Sequence, residues 1–307
     1  MTGFVIEYEP RLVEEATFLA LRGAGEETAF RRERDRLYEI ADAEAREAAF
    51  RAFHAAWFER LGLGRPIGWA LKERGLILRA AERCLVAYAV SAREEGAELF
   101  VAEQRRSVAI RLAPATLLAP ERLLEFLRHE LLHIADMLDP RFAYEPWLPS
   151  SSTGPAHREL LKERYRVLWD AYIDGRLSRL GWAPAVVRAE RLGEFRRAFP
   201  ALGERAGAEF ERFFTAASLR HAELVAFAVD PGSMLDRSSG GRGPGGRCPL
   251  CRFPTYAFEP RPDRLPSAVR ERIRSDFPEW DPAAGLCLQC ADLYRARALS
   301  ERFCHAG

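Results

Sequence analysis

Three residues stand first among those able to do chemistry. His129, Glu130 and His133 form the run HELLH. On a helix of 3.6 residues per turn, positions four apart return to nearly the same face, so both imidazoles can meet one metal ion. Glu130, one step round, reaches a water at the ion's open position. A zinc ion lowers the pKa of such a water towards about 7. The glutamate would take the proton, the hydroxide would attack a carbonyl polarised by the ion, and the proton would pass to the leaving amine. A pentapeptide of this kind also arises by chance in amphipathic helices. Here it sits in a periodic apolar stretch, with Leu123, Leu124, Phe126, Leu127, Leu131, Leu132 and Ile134 around it.

Two histidines need a third protein ligand to hold a catalytic zinc. Asp170, in YRVLWDAYIDGRL, is favoured, with Asp174 one turn later as a partner that would orient a zinc-bound histidine. The bland alternative for this acid pair is a buried or half-buried ion pair, Asp174 with Arg176 or with another arginine. His157, in GPAHRELL, is the other possible ligand. About 20 Å of helix would separate His157 from Asp170, so both cannot bind the same ion. Asp136 reads as a supporting or helix-end charge. Tyr144, Tyr165 and Tyr172 are possible oxyanion donors, with ordinary packing the simpler reading for each.

Cys248-x-x-Cys251 and Cys287-x-x-Cys290 are two knuckles, each able to face two thiolates onto one ion. Together they predict a closed four-cysteine zinc ribbon, which is structural rather than catalytic. The interval of 35 residues between Cys251 and Cys287 calls for an inserted helix, and SAVRERIRSDFPEW can supply it. In a module this small, metal binding would supply much of the folding energy. Cys84 reads as a small buried hydrophobe in a strand. Cys304 and His305 read as a frayed tail.

The elements that must position these groups follow from pattern. Residues 11 to about 60 read as helix, rich in Ala, Glu and Arg with apolar returns every three to four positions. Pro66 opens a short helix after Gly62 and Gly64. RCLVAYAV, AELFVAEQ and SVAIRLA read as strands, at least two of them a hairpin. The HELLH helix runs from Pro120 towards Pro140, and a second long helix from Ala156 to Leu180 ends at Gly181. Further helices fit 184–199 and 203–228. DRSSGGRGPGGR, residues 236–247, is a linker by composition. The expected fold is α+β. A helical extension (1–75) precedes a zincin-like domain (76–230), a linker (231–247) and the cysteine module (248–307).

Composition bounds the function. The chain has 307 residues, 48% of them apolar, and a formal net charge of +1 from 46 basic and 45 acidic residues. This balance argues against wholesale electrostatic binding to nucleic acid or membrane. The only lysines are Lys72 and Lys162. The opening MTGFVIEYEP lacks the basic-then-apolar pattern of a signal peptide, and no apolar run is long enough to span a bilayer. Paired cysteines without a signal favour metal over disulfides, and a cytoplasmic location is expected.

The strand pair, the HELLH helix, the helix beginning near His157 and the two cysteine knuckles together resemble the SprT-like group of zincin metallopeptidases. The resemblance covers about residues 76–180 and 248–290. It implies a zinc-dependent peptidase acting on a protein or peptide, with Zn2+ at one catalytic and one structural site. In that family a third histidine follows the first two, and STGPAHRELL is similar to that segment, which implies His157. WDAYIDGRL resembles the corresponding helix of other minimal zincins, which implies Asp170 and Asp174. The N-terminal helices and residues 184–228 lie outside the family pattern, and the ribbon lies further downstream. The rival expectation is an inert zincin-fold scaffold whose ribbon contacts nucleic acid or a protein partner.

Overall fold

The computed structural model describes residues 3–103, 105–148, 155–231, 246–255 and 258–304. The chain packs as two compact units, Met1–Phe142 and Ala143–Gly307. Its class is α+β, with one small mixed sheet among many helices. No helix among the described residues is long and apolar enough to cross a membrane.

The first unit begins with a strand the periodicity did not announce, β1 (Val5–Tyr8). The stretch expected as continuous helix from 11 to about 60 is three helices: α1 (Pro10–Leu21), α2 (Glu27–Leu37) and α3 (Ala43–Arg60). Pro10 occupies the first turn of α1, where its missing N–H costs nothing. Asp42 caps α3 by accepting from the Ala45 N–H at 2.7 Å. Next come α4 (Arg65–Lys72), the helix expected at Pro66, and α5 (Gly75–Ala80). The strands β2 (Arg83–Tyr88), β3 (Gly96–Ala102) and β4 (Arg105–Leu112) match the three apolar segments. The helix α6 (Pro120–Leu138) carries HELLH.

The sheet order is β1-β2-β4-β3. β1 and β4 both run parallel to β2, and β3 closes an antiparallel hairpin with β4. β2 and β4 alternate, sending Cys84, Val86, Val108, Ile110 and Leu112 inward. Against them lies the stripe Leu123, Leu127, Leu131, Ile134 and Leu138 of α6. Cys84 is fully buried, as expected, and burial pushes its thiol pKa up to about 12.

The second unit is built on α7 (Pro155–Arg179), ended by Gly181 at a positive φ of 70°. Helix α8 (Val187–Ala198) falls where one was expected. The helix expected over 203–228 is two, α9 (Ala206–Phe214) and α10 (His221–Val229). Glu223 folds back at the break, accepting from the Arg220 N–H at 2.8 Å and starting the second helix afresh. Phe195, Phe199, Phe210, Phe213 and Phe227 fill the space beside α7, with Phe195 and Phe199 centroids 4.7 Å apart. The cysteine module follows: a short ladder of β5 (Gly246–Arg247) and β6 (Pro254–Thr255), then α11 (Ser267–Asp276), then α12 (Leu288–Cys304). Helix α11 is the insertion required between the two knuckles. Most of the expected linker, and the side chains of the Cys304–His305 tail, lie outside the described residues.

Gly175 of α7 meets the end of α9. A methyl group there would overlap the Phe214 carbonyl. Gly175→Ala should therefore destabilise the protein by about 1–3 kcal/mol, the usual cost of overpacking, despite alanine's better helix propensity. A lowered melting temperature in calorimetry checks this, and an unchanged one would refute the close approach.

Candidate functional site

Burying the leucine stripe of α6 turns His129, Glu130 and His133 to half-buried positions. The Nε2 atoms of His129 and His133 lie 3.2 Å apart, with ring planes at 67°. Two nitrogens each about 2.05 Å from one tetrahedral ion lie about 3.3 Å apart, so the pair has the spacing zinc requires. Glu130 Oε2 accepts from the Ala97 N–H at 3.1 Å. Ala97 belongs to β3, the edge strand of the sheet. Beside the motif, Arg128 makes a bidentate pair with Glu73, at 3.0 and 2.7 Å, tying α6 to the end of α4. No sequence signal joined Glu130 to Ala97 or Arg128 to Glu73. Both contacts are long-range and specified only by packing. Asp136, on the same helix, is buried.

Asp170 and Asp174 are buried on α7, with side chains 8% and 5% exposed. Asp170 Oδ2 accepts from Arg166 at 2.7 Å, and Asp174 Oδ2 from Arg191 of α8 at 2.6 Å. Arg191 also lies 3.5 Å from Asp170 and 2.7 Å from Glu194. Burial alone would lower the Arg191 pKa, but the carboxylates of Asp174 and Asp170 outweigh it and raise it above its ordinary value. The ion pairing weighed as the bland alternative is thus present, with Arg166 on Asp170 and with Arg191, rather than the first-named Arg176, as the cation found on Asp174. Arg166 stands at i−4 from Asp170, a spacing from which it could have been read. Arg191 is too distant in sequence for that.

The three tyrosines have partners of their own. Tyr165 Oη and His221 Nδ1 share a hydrogen bond of 2.7 Å. Tyr172 Oη accepts from the Leu219 N–H at 3.2 Å. Tyr144 stacks on Trp169 at 5.5 Å, and burial raises its pKa. Burial likewise lowers the His221 pKa. The His157 side chain lies outside the described residues.

Cys248, Cys251, Cys287 and Cys290 are all buried and come together, their sulfurs within 4.8 Å of one another. Cys248 and Cys290 are 4.0 Å apart, Cys251 and Cys287 3.8 Å. Sulfurs each about 2.3 Å from a tetrahedral zinc are separated by about 3.8 Å, so the four thiols fit one ion without rearrangement. The Cys287 N–H points at Cys248 Sγ (3.3 Å) and the Cys290 N–H at Cys287 Sγ (3.4 Å), the backbone bonds of a metal knuckle. Among the described residues these four cysteines form a group that could hold a metal ion, and His129 and His133 of the first unit turn their Nε2 atoms towards one another.

Removing Arg191 would leave Asp174 buried without its closest cation. Arg191→Met should cost about 3–5 kcal/mol, as one-sided loss of a buried ion pair does. Adding Asp174→Asn should recover part of that loss. A double-mutant cycle in urea checks it, and additive losses would deny the coupling. Set against protein-family models, curated proteins and solved structures, the chain matches none of them.

Proposed function

We propose that this protein is a zinc-dependent peptidase, in which His129, His133 and Asp170 are the protein ligands of the catalytic ion and Glu130 is the general base. The observation that carries the reading is the 3.2 Å approach of the two imidazole nitrogens on a helix that also bears an anchored carboxylate between them. Tetrahedral coordination accounts for that spacing, and hydrolysis accounts for the glutamate beside it. Asp170 supplies the carboxylate of a ligand set of two histidines and one acid, the donor chemistry of catalytic zinc sites. Its bond from Arg166 would fix the orientation of its carboxyl plane. Asp174 would orient an imidazole. The four cysteines would hold a second, structural ion.

When bound, the catalytic ion supplies Lewis-acid polarisation of a carbonyl and a water acidic near neutral pH. The chain's own residues do the rest. Glu130 is held through Oε2 by the β3 backbone, and its other oxygen, Oε1, takes the proton of the attacking water and returns it to the departing nitrogen. The substrate is an extended peptide. An edge strand offers unpaired main-chain groups to such a chain, and β3 exposes Phe100 and Val101 to receive its side chains.

Glu130→Gln removes the base while keeping the shape of the site. Incubated with an unfolded protein such as casein, the zinc-loaded variant should cleave about 10²–10⁴-fold more slowly than the parent while keeping both metal ions. Asp170→Asn should lose the catalytic ion, read as one zinc fewer per chain by elemental analysis. Equal cleavage by parent and Glu130→Gln would overturn the mechanism. Two zinc ions retained in Asp170→Asn would overturn the ligand assignment.

A further inference from the structure

The cysteine cluster and helix α7 share an interior. Leu160 of α7 belongs to the same buried core as the four cysteines, Phe253, Trp280 and Tyr294. One turn further along α7, Arg164 is only 4% exposed. Its Nε donates to the Ala198 carbonyl and its Nη2 to Gln289 Oε1, each at 3.2 Å. Gln289 Nε2 donates to the same carbonyl at 3.3 Å. The guanidinium also lies over Phe253, 4.1 Å from the ring centre. Gln289 stands inside Cys287-x-x-Cys290, and Phe253 is two residues beyond Cys251. A residue inside one knuckle and a residue just past the other therefore grip one buried cation.

None of these partners is a carboxylate, and Nη1 has no hydrogen-bond partner among the described residues. A buried guanidinium whose hydrogen-bond partners are all neutral is costly, and the cost calls for counter-charge nearby. Burial pushes the Arg164 pKa down to about 10, against an opposing pull from Cys251, Cys287 and Cys290 and then Asp230. The cluster has the converse need. Four thiolates around a divalent ion leave a net charge of about −2 in a dry core, where a nearby cation acts strongly.

We propose that Arg164 is the internal counter-ion of the metal-loaded cysteine cluster, so that filling the cluster fastens it to α7 and steadies the helix that carries Asp170 and Asp174. Arg164 is in this sense a positioning residue. Without the ion nothing draws the two knuckles together around one centre, and the grip of Gln289 and Phe253 on Arg164 slackens. Only the consequence for catalysis rests on the peptidase reading. The coupling of Arg164 to the cluster stands apart from it.

The test uses the full chain carrying His129→Ala and His133→Ala, so that the cysteine site alone takes zinc. Zinc affinity is measured by chelator competition for this parent, for Arg164→Met and for Arg164→Lys. Arg164→Met should bind at least about tenfold more weakly, and Arg164→Lys should recover most of the loss. With iron in place of zinc, the reduction potential should fall in Arg164→Met and hold in Arg164→Lys, a response to charge that packing alone does not give. Hydrogen exchange over residues 160–175 of the parent should quicken when the metal is stripped, a readout that needs no variant at position 164. Unchanged zinc affinity and iron potential in a folded Arg164→Met would overturn the proposal. So would equal exchange with and without metal. None of these three readouts involves peptide cleavage, so failure here leaves the Glu130 chemistry standing, and failure there leaves this coupling standing.

Discussion

The rotational setting of α6 is the constraint on which the first unit's candidate site depends. A helix can bury only one stripe against a sheet, and Leu123, Leu127, Leu131, Ile134 and Leu138 define that stripe here. Once they face β2 and β4, the directions of residues 129, 130 and 133 are fixed, and all three come to the margin of the core. There the imidazoles keep the spacing an ion needs, and the glutamate reaches the main chain of β3. The apolar packing thus orients polar groups that are not themselves part of the buried stripe. Arg128, paired with Glu73, adds a second restraint against rotation one residue from the motif.

What could be read from the sequence was what repeats locally. HELLH, the two cysteine knuckles, the helix between them and the three strands at 83–112 all carry short-range signatures, and each appears as an element or a cluster. The failures share a cause. β1 is four residues long and exists because it can lie parallel to β2, some eighty residues away. The long N-terminal helix breaks into three because its apolar positions serve several partners. Phe30 and Trp57 meet edge-on at 5.5 Å, and Trp57 Nε1 donates to Glu33, closing α3 onto α2. Arg191 and Arg164 sit on helix surfaces where an arginine ordinarily means solvent. Only the fold shows that each enters a buried network.

Those two residues also give a structural use to a composition that reads as genomic bias. A lysine presents a point charge, whereas an arginine presents five donors in a rigid fork. Arg191 reaches Asp174, Asp170 and Glu194 at once. Arg164 divides its donors between a backbone carbonyl and a side-chain amide while its flat face covers Phe253. An ammonium group carries the same charge but lacks this planar spread of donors. With only two lysines in the chain, nearly every buried cation available to it has this planar, many-handed form.

Because Arg191 is shared, its charge does not depend on any single acid. Should Asp170 turn to another cation, Asp174 and Glu194 still satisfy the guanidinium, and the seam joining α7 to α8 keeps its electrostatic balance. A carboxylate tethered in that way can change partners without loosening the wall behind it.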